Sequence, residues 1–347
     1  MNQPDSVRSF GWAIVGPGRI AHRFAEAVHR LPGTHLVAVQ GRDAGRALAF
    51  ASGWTRDGAA PVRATADLAE ALAMPGVDGV YVATPHAFHG GAVSAALQAG
   101  KAVLCEKPLV PSRAMAEPLV ALARERGVFL MEAMWTRLLP LYGRMAGWLE
   151  GGQASAIGAL RGLQSSFCFP APFDEAGRLY SPALAGGALL DLGVYNLAVT
   201  RWALHASLGH CPEPTGWHVG GSLAPTGVDQ RVWATLEFPG GITMQFTCAL
   251  DGAADNSLRI LGERGHVVVP RTFWEGTEAL LQRDGDAPEV AHAPFGINGF
   301  EYQVEEVLRC VRAGQVESPR MPHAETLATL GWMDTIRARL GVRYPFE

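Results

Sequence analysis

The sequence has no run of lysine or arginine, no Cys-x-x-Cys pair and no long unbroken apolar stretch. With a formal net charge of -4, the first absence argues against a surface built to neutralise nucleic-acid phosphates or an anionic membrane. The five cysteines, Cys105, Cys168, Cys211, Cys248 and Cys310, are scattered, and an odd number suits reduced thiols better than a disulfide framework. No apolar run is expected to approach the roughly 20 residues that span a bilayer. The opening Met1-Asn2-Gln3-Pro4-Asp5-Ser6 lacks the basic end and apolar stretch of an export signal. A soluble, cytoplasmic protein with a small, diffusible partner is expected, with neither nucleic acid nor membrane among its partners. Neither Gly-x-Ser-x-Gly nor a Walker-type phosphate loop occurs, so hydrolase and kinase readings lose. His86 with His89, and the loose set His210, Cys211 and His218, lack the paired spacing of a zinc site, and no metal is expected.

At 347 residues the chain is long enough for two cores. From Phe10 to about Trp135, short apolar runs alternate with segments of helical period, the pattern of parallel strands joined by crossover helices. Strands are predicted at Gly11 to Val15, Leu36 to Gln40, Gly79 to Ala83, Ala102 to Cys105 and Val128 to Met131. Residues 8–135 are therefore expected to form an α/β domain on a doubly wound parallel sheet, and residues 136–347 a second α/β domain. After about Pro140, strands follow one another through tight turns, which implies antiparallel pairing. Between Arg231 and Phe246, alternating Val232, Ala234, Leu236 and Phe238, then Ile242, Met244 and Phe246, flank the hairpin turn Pro239-Gly240-Gly241. Two closing helices are predicted at Phe300 to Arg312 and His323 to Arg339.

Ile14-Val15-Gly16-Pro17-Gly18-Arg19-Ile20-Ala21 follows the first strand and opens a helix, a Gly-x-Gly-x-x-Ala form of the dinucleotide fingerprint. Gly16 permits the tight turn, Gly18 lets backbone approach a pyrophosphate, and Ala21 lets helix and strand pack closely. Arg19 and Ile20, in the first turn, join the loop as expected cofactor contacts, because a helix N-terminus offers N–H donors and a positive dipole end. The competing reading is an unliganded strand-to-helix turn. The second strand ends Val39-Gln40-Gly41-Arg42-Asp43, with no carboxylate at its tip to bind ribose hydroxyls. Arg42 offers a bidentate donor for a 2'-phosphate, so NADP(H) is preferred over NAD(H). Against this stands a solvated Arg42 with Asp43 merely capping the next helix.

Two later strands end in Thr84-Pro85-His86-Ala87-Phe88-His89 and Glu106-Lys107-Pro108. Ligands of open parallel sheets bind at that edge, so Thr84, Pro85, His86, His89, Glu106 and Lys107 are expected at the nicotinamide half of the cofactor. Further on, Gly187 to about His205 has helical period and sets Asp191 and Tyr195 four apart on one face.

Glu106-Lys107-Pro108, Thr84-Pro85-His86 and Gly186-Gly187-Ala188-Leu189-Leu190-Asp191-Leu192-Gly193-Val194-Tyr195 together resemble the Gfo/Idh/MocA oxidoreductase family. Met131-Glu132-Ala133-Met134-Trp135-Thr136-Arg137 and Tyr195 are most similar to its branch of dimeric dihydrodiol dehydrogenases, D-xylose dehydrogenases and glucose-fructose oxidoreductases. The resemblance implies an open, mainly antiparallel sheet in the C-terminal domain, a Lys poised at the reacting carbon, often a cis Lys-Pro bond, and a homodimer or higher homo-oligomer. It also implies that Trp135 and Arg137 lie beside cofactor and substrate. Many relatives carry His where this chain has Tyr195, so a His-based proton transfer does not carry over.

The expected activity is hydride transfer between NADP(H) and a sugar-like alcohol, its carbonyl counterpart or a trans-diol. Tyr195 exchanges the hydroxyl proton, Lys107 polarises the substrate oxygen and favours the phenolate, and Asp191 orients Lys107 or a substrate hydroxyl. Two alternatives are a cofactor-binding regulatory protein without catalysis and a sugar-sugar oxidoreductase with tightly bound NADP.

Overall fold

The computed structural model describes residues 8–56, 58 and 60–347, so the opening Met1–Ser6 lies outside the described residues. By contacts the chain does not divide at one place. One unit comprises the described residues of Met1–Val110 with Ala114–Trp135 and Gly296–Thr326, and the other holds Pro111–Arg113, Thr136–Phe295 and Leu327–Glu347. The chain leaves the first unit at Trp135, as expected, but the stretch 136–347 is interrupted where Gly296–Thr326 returns to it.

The first unit is built on β1 (Phe10–Val15), β2 (Thr34–Gln40), β3 (Arg63–Thr65), β4 (Gly79–Val82), β5 (Ala102–Glu106) and β6 (Leu130–Ala133). They form one parallel sheet in the order β3-β2-β1-β4-β5-β6, the doubly wound arrangement of dinucleotide-binding folds. β1 and β4 are buried at every position, as strands covered on both faces must be, which is why they read as unbroken apolar runs. The crossovers are α1 (Arg19–Arg30), α2 (Ala44–Trp54), α3 (Leu68–Ala73), α4 (His89–Gln98) and α5 (Arg113–Arg126). Helix α1 buries one stripe, Ala21, Phe24, Ala25, Ala27 and Val28. Phe24 stacks on Tyr81 at 3.9 Å and meets the edge of Trp12 at 5.1 Å, and such fully buried side chains each contribute roughly 1.5–3 kcal/mol. The Tyr81 hydroxyl then donates to Glu106 Oε1 at 2.5 Å, so the packing of α1 reaches the end of β5.

Beyond β6 the same unit is completed by the returning segment. Leu130 N donates to Val316 O at 3.0 Å, and His323 Nε2 lies 2.9 Å from Leu130 O. Glu132, nearly inaccessible, accepts from Leu109 N at 2.9 Å and from the Thr326 hydroxyl at 2.8 Å.

In the second unit, α6 (Pro140–Leu149) and α7 (Val194–Leu208) accompany eight strands: β7 (Leu160–Cys168), β8 (Gly216–Leu223), β9 (Asp229–Phe238), β10 (Ile242–Ala249), β11 (Leu258–Gly262), β12 (Gly265–Val269), β13 (Glu278–Arg283) and β14 (Glu289–His292). Their order is β14-β13-β12-β11-β7-β10-β9-β8, antiparallel throughout except where β7 and β10 run parallel. The expected hairpin is β9–β10, with Phe238 opposite Ile242 across the glycine turn. Two helices close the chain: α8 (Glu301–Arg312), in the first unit, and α9 (His323–Leu340), which begins in the first unit and continues into the second.

One expectation needs correction. The helical segment Pro182–Leu208 is long and apolar enough, by length and composition, to cross a membrane, but 89% of its most apolar window is buried within the fold. Helix α7 is buried over most of its length: Tyr142 meets Trp202 edge-on at 4.8 Å, and Asn196 donates to Ser165 of β7 at 2.8 Å.

Candidate active site

In the first unit, Gly16 takes φ +96, and a Cβ there would lie 2.8 Å from the carbonyl carbon of Ala83, so both the turn and the contact require glycine. Around Gly18, by contrast, a Cβ would meet nothing within 4 Å, leaving the backbone open to approach. Helix α1 begins at Arg19 without a side-chain cap and without an acidic residue in its first turn, so its N–H donors and positive end are presented uncompensated. Arg19 and Ile20 are exposed beside it, Ile20 at 37% despite being apolar. At the end of β4, the buried Thr84 hydroxyl oxygen has no hydrogen-bond partner, although Pro85 starts the next turn beside it. An uncapped helix start, an open glycine and an orphaned hydroxyl at one sheet edge fit a pyrophosphate-linked dinucleotide.

At the tip of β2, Asp43 caps α2 by accepting from Arg46 N at 2.9 Å, which leaves Arg42 as the exposed charge. The Arg42 guanidinium stands 5.5 Å over the ring of Phe88, itself 44% exposed. Sequence reasoning missed Phe88 because a lone aromatic between two histidines carries no periodic signal.

His89 is enclosed by backbone. It has no accessible surface, and its ring nitrogens lie 2.9 Å from Pro108 O and 2.8 Å from Thr84 O. Burial, opposed by these carbonyls, holds its pKa below the ordinary histidine value. Set between these two carbonyls, the His89 ring lies between the β4 loop and the Glu106-Lys107-Pro108 loop. His86 is buried at 8% and stands edge-on to His89 at 5.7 Å. Glu106 is buried and held by Tyr81, while Lys107, half-buried, precedes a cis peptide bond to Pro108. Trp135 is 3% exposed, with the Arg23 guanidinium 4.4 Å over its ring and Phe300 at 5.1 Å, so it is packed within the first unit. Arg137 lies one residue inside the second unit, half-buried in a short helical turn.

In the second unit, Asp191 sits in a π-turn, Leu189–Gly193, that runs directly into α7, where Tyr195 is the second residue. Single π-turns recur at functional sites because they shift the face on which following side chains emerge. Both residues are buried, each at 7% exposure. Arg178 Nη1 donates to Asp191 Oδ1 at 3.1 Å. The Tyr195 ring packs at 5.6 Å from Phe167, which stacks on Trp274 at 3.4 Å. Arg178 and this aromatic wall were not foreseen, since the loop from Phe169 to Gly187 has no strand or helix period. Lys107 belongs to the first unit and Asp191 with Tyr195 to the second.

A doubly wound sheet with this glycine loop, carried with a buried Asp and Tyr on a separate helix, defines an NAD(P)-dependent oxidoreductase. Residues 10–134 match the family model described as oxidoreductase family, NAD-binding Rossmann fold, and residues 152–268 match the GFO/IDH/MocA C-terminal domain. The chain belongs to the Gfo/Idh/MocA family of oxidoreductases. It is 33% identical to trans-1,2-dihydrobenzene-1,2-diol dehydrogenase of Mus musculus over 96% of this chain and 98% of that protein. Among solved structures it is similar to aldose-aldose oxidoreductase from Caulobacter crescentus, with a TM-score of 0.82, 25% identity and 96% and 98% of the two chains covered. KijD10, a 3-ketoreductase from Actinomadura kijaniata solved with NADP, gives a TM-score of 0.78 and 28% identity over 95% and 97%. These relatives are named as dehydrogenases, reductases and oxidoreductases.

Proposed function

We propose that the protein moves a hydride between NADP(H) and a sugar-like alcohol, its carbonyl counterpart or a cyclic trans-diol, with Tyr195 as acid/base. The observation that carries this reading is the pair of buried polar side chains Asp191 and Tyr195 at the π-turn, in a chain whose Rossmann sheet ends in Glu106-Lys107-Pro108. When bound, the nicotinamide supplies the hydride chemistry.

Tyr195 takes or returns the hydroxyl proton of the substrate. A phenol ordinarily titrates near pH 10, and the Lys107 ammonium is the charge assigned to favour its phenolate. Lys107 also polarises the substrate oxygen, and Asp191 orients Lys107 or a neighbouring substrate hydroxyl. NADP is chosen over NAD by Arg42, with Phe88 beneath it as a flat platform; the solved complex of KijD10 with NADP supports this. The substrate class is supported by the names of the diol dehydrogenase, aldose-aldose oxidoreductase and ketoreductase relatives.

The test is a panel of aldoses, inositols and trans-diols with NADP and NAD, followed at the reduced-nicotinamide absorbance. Turnover of a polyol with NADP is expected, and silence across the panel in both directions would overturn the reading. Similarity to the aldose-aldose oxidoreductase favours a second reading, hydride exchange between two sugars on retained cofactor. Nucleotide released by denaturing the purified protein, in about one equivalent, would select it. The exposed Trp233 on β9 and Val290 on β14 support a homodimer or higher homo-oligomer through the second sheet, which light scattering on the eluting protein tests.

A further inference from the structure

We propose that Asp229 is a positioning residue for Asp191 and Tyr195, fixing the first turn of the helix that carries them. This rests on the acid/base reading above, and it concerns a residue outside the family fingerprint.

Asp229 opens β9 and has no accessible surface. Its Oδ2 accepts from Leu189 N, the first residue of the π-turn, at 2.6 Å. Gly187 is fitted to the same carboxylate. It has φ +125, and a Cβ there would come within 2.4 Å of Asp229 Oδ1, so any side chain would collide with the carboxylate and strain the backbone. The rest of the turn is held from other directions. Gly187 N donates to Leu179 O at 2.9 Å, Gly186 N to Ser181 O at 3.0 Å, and the Tyr344 hydroxyl to Gly186 O at 2.7 Å. Asp191 N returns to Gly187 O at 3.2 Å, so the residue bearing the Asp191 carboxylate hangs directly from the clamped glycine. A helix start normally leaves its N–H groups to solvent or a cap; here an anion buried beneath it meets them.

A carboxylate with Oδ1 unpaired in the interior costs stability relative to an apolar side chain. Burial raises its pKa to about 7, opposed by the N–H donors of Leu189, its own backbone and Ala188 and by the Arg337 charge. The ionisable groups around it are Arg337 on α9, Tyr344 in the C-terminal segment and Cys248 on β10. Tyr344 and Cys248 are themselves held neutral, raised well above their ordinary values chiefly by burial. The charge that changes near neutral pH within this cluster is therefore that of Asp229. When ionised it accepts the turn's N–H groups more strongly than when protonated, which tightens the placement of Asp191 and Tyr195.

The test is Asp229→Asn, which preserves shape and one acceptor oxygen but cannot ionise. Turnover at pH 8 is expected to fall on the order of tenfold or more while NADPH affinity stays unchanged, because misplacing a proton-transfer group affects the chemical step. The wild type should show a rise of kcat with pH near 7 that the variant lacks. Tyr344→Phe releases the same turn from its other side and should lower kcat while keeping the rise near pH 7, because Asp229 is retained. Wild-type kcat and an unshifted pH profile in the folded Asp229→Asn variant, or, where that variant does not fold, a wild-type kcat that does not rise with pH near 7, would overturn the placement role, provided Tyr195→Phe is inactive. Full turnover by Tyr195→Phe would instead overturn the acid/base reading on which the proposal stands.

Discussion

The guanidinium of Arg178, half exposed on a loop, donates to the buried carboxylate of Asp191 at 3.1 Å. The pair links a segment without regular structure to the π-turn, and Asp191 is shared between this cation and its proposed partners. Replacing Arg178 with Ala should leave stability within about 1 kcal/mol, since exposure screens the pair. It should lower kcat/KM about five- to tenfold by freeing the Asp191 carboxylate, as hydrogen bonds to charged groups contribute about 1.5–3 kcal/mol when well shielded. Steady-state kinetics beside a thermal melt separates the two effects.

Lys107→Met and Tyr195→Phe should each reduce kcat by about 100-fold or more, the usual scale of general acid–base and electrostatic assistance. NADPH titration by fluorescence should still show binding in both. Near-normal turnover in either variant removes that residue from the mechanism.

Arg42→Ala should weaken NADPH about tenfold or more while leaving NADH nearly unchanged, because a charge-assisted bidentate contact to the 2'-phosphate is lost. Phe88→Ala should weaken NADPH more than NADH, through loss of the ring beneath the guanidinium. The ratio of the two dissociation constants is the measurement, and an unchanged ratio in Arg42→Ala contradicts the NADP assignment.

Gly16→Ala places a Cβ against the backbone of Ala83 in a left-handed conformation, a strain of about 1–3 kcal/mol. The loop must shift to relieve it, so affinity for either nicotinamide nucleotide should fall about tenfold or more. Calorimetric titration with NADP and NAD checks this.

Stability should carry the signature of Asp229. Its folded-state pKa of about 7 exceeds the ordinary carboxylate value of 3.8, so the folded protein binds the extra proton between those limits. That contribution is complete below pH 4 and is lost as pH rises through 7. Denaturation midpoints of Asp229→Asn should therefore rise relative to wild type between pH 5 and pH 8, whatever the offset at pH 5. A constant difference across that range would show that Asp229 does not titrate there.

Strands β1, β4, β5 and β6 were legible because parallel strands buried on both faces leave apolar runs bounded by Gly, Pro or Asp, and the half-buried β2 was legible from its Leu36–Val39 run. Strand β3 escaped because Arg63–Thr65 is too short to show a period. The β9–β10 hairpin announced itself through alternation and its glycines, whereas the parallel β7–β10 pairing joins segments with no local signal of their relation. In the same way Asp191 and Tyr195 were singled out from spacing and resemblance, but Arg178 and Asp229 carry no such signal. Arg178 reaches Asp191 from an irregular loop and Asp229 reaches Leu189 from β9, contacts that no local pattern announces. The burial of His89 between the carbonyl oxygens of Pro108 and Thr84 was equally invisible, since those contacts join two separate loops.

The return of Gly296–Thr326 to the first unit has a consequence for biosynthesis. Leu130 is paired with Val316, and Glu132 with Thr326, so the outer edge of the nucleotide-binding sheet is finished by residues made nearly two hundred positions later. While the ribosome translates the intervening antiparallel sheet, β6 is an open edge and Glu132 a buried carboxylate lacking one of its donors. The nascent nucleotide-binding half must therefore wait, incomplete, for nearly the whole polypeptide to emerge, and a fragment ending at Trp135 carries that unfinished edge permanently.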